Sequence, residues 1–142
     1  MNPGTGLVNG LDVEGTQLLS GDCLQALVVE DDADSWGMER WNYRDVAGEF
    51  APIAGSQRIV ESGGVRTIRE AAFSYRGSSL VLRTIAYAAV PILEYRLRLV
   101  WNEERKRVKL SIPTLLRADS VLCEIPGGAI RRPADGEEHT HG

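Results

Sequence analysis

The segment Glu30-Asp31-Asp32-Ala33-Asp34-Ser35-Trp36-Gly37 sets four carboxylates directly ahead of a tryptophan. Three chemistries take such a set. Hard cations are held by clustered carboxylate oxygens, and Asp32, Asp34 and Gly37 fall at the first, third and sixth positions of a calcium loop. The template then fails: Trp36 stands at its fifth position, and Tyr43 stands at its twelfth, where a bidentate glutamate is needed. Paired carboxylates also serve as the acid and base of glycoside cleavage. Thirdly, an indole face beside carboxylates suits a sugar, because the flat apolar ring matches sugar C–H groups while the acids accept hydroxyl hydrogens. Against all three stands a plain structural reading, in which the loop is merely solvated, Asp34 bonds a backbone N–H of its own turn, and Trp36 caps the edge of the core.

Other reactive residue types are sparse. His139 and His141 form a His-Thr-His pair in the tail, short of the three or four ligands a zinc site needs. Cys23 and Cys123 stand too far apart in sequence for a close-spaced ligand pair and are expected as two small buried thiols. The chain holds no Gly-rich phosphate loop, no GxSxG elbow and no nucleophilic cysteine motif; Gly4-Thr5-Gly6 is too short for a dinucleotide fingerprint.

The elements that must position these residues are strands. In Leu93-Glu94-Tyr95-Arg96-Leu97-Arg98-Leu99-Val100-Trp101 the odd positions are apolar while Glu94, Arg96 and Arg98 point the other way. Arg107 to Ile112 repeats the pattern with Val108, Leu110 and Ile112 inward, and the polar run 102–106 between the two predicts an antiparallel hairpin. Val65 to Tyr75 and Ser79 to Ala88 predict a second hairpin around Arg76-Gly77-Ser78, with the glycine free to take a positive φ. Shorter strands are expected at 6–13, 17–19, 24–30, 57–62, 120–125 and 128–131, bounded by Glu14-Gly15, Ser20-Gly21, Gly63-Gly64 and Pro126-Gly127-Gly128. No helical period extends beyond a turn or two. Such a series of short strands predicts an all-β fold, an antiparallel β-sandwich or barrel-like domain. Asp31 to Phe50 and the tail from Arg131 stand outside the pattern. A twenty-residue irregular loop in a compact domain is often functional.

Composition bounds the function class. The chain has 142 residues, 43% hydrophobic and 25% charged, which fits one soluble globular domain spanning 1–142 and excludes a disordered or fibrous chain. No apolar run nears the roughly 20 residues of a membrane span, and the start lacks the features of a secretory signal, so a cytoplasmic protein is expected. The net charge of −4 hides a gradient: residues 22–50 carry eight acids against two arginines, and residues 51–118 carry twelve bases against five acids. Those bases are spread singly among apolar residues rather than clustered with aromatics, which argues against a nucleic-acid groove.

Taken in order, several motifs resemble the opening and later motifs of a known domain. These are Asn2-Pro3-Gly4-Thr5-Gly6-Leu7-Val8, Gly15 to Gly21, and Val28 to Gly37, the last resembling a segment written roughly D-x-x-D-T-W-G. Further on come Arg83 to Tyr87, Val100 to Glu103, Val108 to Pro113, and Glu124-Ile125-Pro126-Gly127-Gly128-Ala129-Ile130-Arg131-Arg132-Pro133. The domain they resemble, over about residues 2–138, is the C-terminal β-domain of family 38 glycoside hydrolases, the α-mannosidases. Ser35 replaces the usual threonine, and Gly127 stands where a phenylalanine is common.

The resemblance implies a galactose-mutarotase-like supersandwich fold. It also implies that the zinc ligands and the aspartate nucleophile of the retaining reaction lie on a separate N-terminal catalytic domain, so that no cofactor is held by this chain. The chain is then expected to be a fragment, inactive alone, that supports the catalytic domain and helps to form the pocket for an α-mannoside. By resemblance Asp31, Asp34 and Trp36 are placed nearest the sugar, with Arg132 next, as binding rather than catalytic residues. Arg132 reads equally as an ion-pair partner of Glu124 across its turn. The alternative function is a free-standing carbohydrate-binding or scaffolding module. A mutarotase-like enzyme is the third reading, disfavoured because it needs histidine inside the sandwich. Neither nucleic acid nor membrane is expected as a partner, whereas open strand edges predict self-association.

Overall fold

The computed structural model describes residues 1–32 and 42–135. Among them all regular structure is extended, and every strand pairing is antiparallel. The first strands are β1 (Asp12–Val13), β2 (Thr16–Gln17), β3 (Gln25–Glu30), β4 (Val46–Glu49), β5 (Ala51–Pro52) and β6 (Arg58–Ser62). They are followed by β7 (Arg66–Tyr75), β8 (Ser78–Tyr87), β9 (Leu93–Val100), β10 (Lys106–Ser111), β11 (Ser120–Ile125) and β12 (Gly128–Pro133).

The spine is the β7–β8 hairpin, paired without a break from Arg66↔Tyr87 to Tyr75↔Ser78. Only Arg76-Gly77 connects the two strands, and the left-handed residue is Arg76 (φ 46°), not the glycine that the sequence pointed to. On this spine a larger sheet forms in the order β5-β7-β8-β9, with β6 also on β7; the smaller sheet runs β10-β3-β4. Alternation gives each sheet one apolar face, and these two faces meet. Ala26 and Val28 of β3 close on Ala71 and Phe73 of β7 and on Leu80 and Leu82 of β8, with Phe50 between, all nearly inaccessible to water. Each such large side chain contributes roughly 1.5–3 kcal/mol by leaving water. Leu93, Tyr95, Trp101 and Val108 pack on the margin, Trp101 stacking 6.4 Å from Phe50.

Two expectations are corrected. β9 and β10 do not form a hairpin: β9 pairs with β8, and β10 pairs with β3, so the polar connection crosses from one sheet to the other. Their apolar faces oppose each other across the core instead of lying side by side in one sheet. Nor is 31–50 irregular throughout. Its end, Val46–Glu49, forms β4 on β3, with a register shift between Val28 and Val29. Gly48 permits this, because a Cβ there would stand 2.6 Å from the Tyr75 ring.

The outer face of the larger sheet is charged yet seals apolar residues. Ile68 and Ile85 point away from the core and are still buried. Around them Glu70 accepts from Arg58 (2.6 Å) and Arg83 (2.7 Å), Glu61 from Arg66 (2.9 Å), and Glu94 from the Tyr87 hydroxyl (2.5 Å) and Arg96 (2.5 Å). The methylene stems of these residues form the cover. The guanidinium groups hold Glu70 below the usual carboxylate range.

Among the described residues β11 and β12 pair only with each other. Pro126-Gly127 turns the chain between them, Gly127 at φ 84° supplying a conformation closed to most residues. No helix among the described residues is long and apolar enough to cross a membrane.

Candidate functional site

β3 carries the chain to the acidic loop, and β10 holds both ends of that loop. Leu27, Val29 and Asp31 share the outer face of the smaller sheet with Arg107 and Lys109, because the register sets Arg107 opposite Val29 and Lys109 opposite Leu27. Asp31 is fixed at its backbone, donating N–H to the Arg105 carbonyl (2.9 Å), and at its carboxylate, which accepts from Arg107 Nε (2.8 Å) and pairs with its terminal nitrogen (2.7 Å). Arg107 then sits over the Tyr43 ring, its central carbon 3.4 Å from the ring centroid. Lys109 Nζ donates to the Tyr43 carbonyl (3.0 Å), and Glu30 N–H donates to the Asp45 carbonyl (2.9 Å). Entry and exit of the loop are thereby clamped to one strand.

The clamp fixes the two ends of the loop. Asp31, with its side chain 24% exposed, already spends oxygen acceptors on Arg107, which leaves it an orienting role more than a free hydroxyl acceptor. Asp34 and Trp36, the other two loop residues singled out by sequence, lie outside the described residues.

Arg132 sits on β12 opposite Val121, half-buried, with its Nε shielded from water and without a hydrogen-bond partner. The expected pairing with Glu124 fails on register. Glu124 faces Ala129, three residues from Arg132, and three steps along a strand reverse the side. The hairpin is tied to the loop all the same: Arg44 donates to the Asp135 carbonyl (2.6 Å), joining the loop's exit to the residues just after β12. Arg44, a residue that sequence reasoning passed over, thus links the loop's exit to the segment that follows Arg132. Arg107 and Lys109 were readable as outward on their strand, but nothing local disclosed that they reach residues 66 to 76 positions away.

A cavity of about 390 Å³ lies elsewhere, lined by the N-terminal segment with Gln57, Arg58 and Glu70. Its one carboxylate is committed to two arginines. Cys23 and Cys123 are both free, Cys23 buried and Cys123 only half-buried, contrary to the expectation of two buried thiols.

Comparison with protein-family models finds that the model of the glycosyl hydrolases family 38 C-terminal domain matches residues 12–141. The chain belongs to this family. No curated protein matches it. The family 38 domain described here is all-β and antiparallel, as its sequence predicted. Among its described residues no three His, Cys, Asp or Glu side chains converge on a point where a metal ion could sit. His139 and His141 lie outside the described residues. The described residues do not fit a zinc centre.

Proposed function

We propose that this domain is a noncatalytic part of a zinc-dependent retaining α-mannosidase, with a galactose-mutarotase-like fold, that supports a separate catalytic domain and forms part of the mannoside pocket. The zinc and the nucleophile belong to that other domain. One observation carries the reading: the acidic loop of a family 38 domain is clamped at both necks by Arg107 and Lys109. A loop that only had to close the chain would need no such frame, whereas one that contacts a ligand gains from having its conformational freedom reduced beforehand. Within that frame Asp34 accepts sugar hydroxyl hydrogens and Trp36 supplies the apolar wall, while Asp31 orients the entrance. Arg132, on the adjoining hairpin, donates to a sugar oxygen through its terminal guanidinium nitrogens, its Nε being shielded from water.

The test has two parts. With an aryl α-mannoside, with and without added zinc, the chain alone is expected to give no turnover. Titration with methyl α-mannoside is expected to perturb tryptophan fluorescence in the wild type and not in Trp36→Ala, with Asp34→Ala weakening the response. Turnover above blank overturns the noncatalytic assignment, and an unaltered response in both variants overturns the sugar contacts.

A further inference from the structure

β9 is the outermost strand of the larger sheet, and its free side runs for eight residues, Leu93–Val100, with no proline and an even register against β8. Such an edge is a template for another strand. The other edge strands among those described are all shorter, and most are blunted. β5 is two residues long and ends in Pro52, β6 carries a register shift, and β10 presents Lys106, Arg107 and Lys109. β12 presents Arg131, Arg132 and Pro133, and β11 has Glu124 as its one charge.

We propose that β9 pairs antiparallel with β9 of a second copy of this chain, with the two-fold axis at Tyr95, so that the larger sheet runs continuously through a homodimer. The argument is self-complementarity. An antiparallel pair keeps each face's side chains together, so the axis must pass through a residue. With the axis at Tyr95, Glu94 stands opposite the partner's Arg96 and Arg96 opposite the partner's Glu94. On the other face Leu97, 40% exposed in the single chain, is covered by the partner's Leu93. Moving the axis to Arg96 opposes two like charges at the centre, and moving it to Leu97 opposes Arg96 with the partner's Arg98. The Tyr95 register alone of these three gives every paired charge an opposite one. Within one chain Glu94 and Arg96 already touch, at 2.5 Å, so the dimer extends an existing pair into a four-member cluster. This inference is independent of the mannoside reading.

Sedimentation velocity of the full chain over a wide concentration series is expected to show a monomer–dimer equilibrium. Hydrogen exchange at high concentration is expected to add protection within 93–97, the part of β9 that faces the partner's β9 in this register. Arg96→Glu puts like charges opposite each other twice and is expected to weaken the dimer about tenfold or more. The double swap Glu94→Arg with Arg96→Glu restores the pairing and is expected to return the dimer, which also shows that the single variant's loss is not misfolding. Arg98→Glu lies opposite Ile92 in this register and is expected to leave the affinity unchanged. A monomer at every concentration overturns the proposal, as does added protection at 120–125 in place of 93–97. A dimer broken by Arg98→Glu and indifferent to the double swap overturns the register.

Discussion

Asp31, singled out in sequence for binding, is held in a structural pair with Arg107. Their ion pair is partly exposed, the arginine side chain at 40% and the aspartate at 24%, so its Coulomb contribution is screened. Arg107→Ala also removes the stacking on Tyr43 and is expected to cost about 1 kcal/mol in urea unfolding. Asp31→Asn is expected to cost less, and the double variant about the same as Arg107→Ala alone, because both changes dismantle one clamp. Tyr95 offers a titration. Burial, reinforced by the Cys23 thiol beside it, pushes its phenol up to about 12 from the ordinary 10.0. The folded state therefore favours the neutral phenol more than the unfolded state does. The resulting stability is complete below pH 10 and lost as the pH rises through 10 to about 12. Absorbance at the phenolate band is expected to show Tyr95 ionising in that upper window, and Tyr95→Phe is expected to flatten the alkaline fall in stability.

At the scale of elements, β4 depends on contact with Tyr75 at Gly48. Gly48→Ala forces a methyl to 2.6 Å from the ring, so either the ring or the strand must shift. The expected cost is about 1–3 kcal/mol in thermal or chemical unfolding. Little of β4 was visible in advance: Val46-Ala47-Gly48-Glu49 has no alternation, and its glycine reads as a breaker until the aromatic ring it accommodates is known. By contrast β7, β8, β11 and β12 were legible to within a few residues, since alternation and glycine-bearing turns are local signals. Alternation reports which face a side chain takes but not which strand lies alongside, and that is why β9 and β10 were assigned to each other. The same limit hid the clamp. Asp31 is singled out by the family resemblance of its segment, while Arg107, Tyr43 and Arg44 become relevant only once β10 is laid against β3. Register also decided Arg132, turning it away from Glu124 and leaving its Nε unsatisfied.

At the scale of the molecule the β11–β12 hairpin stands apart from the two stacked sheets, with Leu122 67% exposed and Arg44 bridging its base to the loop. Its amides are expected to exchange with solvent well before those of β7 and β8, whose apolar faces lie in the core. Arg44→Ala is expected to widen that gap without changing exchange in β8. Equal protection across 66–87 and 120–133 would show the hairpin to be welded to the body by contacts beyond Arg44. The β7–β8 spine has a kinetic consequence. Its ten-residue strands close over a two-residue turn, so their contacts cost little loop entropy, whereas β3 and β10 must find each other across 76 residues at the Glu30–Lys106 rung. Stopped-flow kinetics are expected to show substitutions at Phe73 or Leu82 slowing the forward rate and those at Arg107 mainly hastening unfolding, as a hairpin-first order requires.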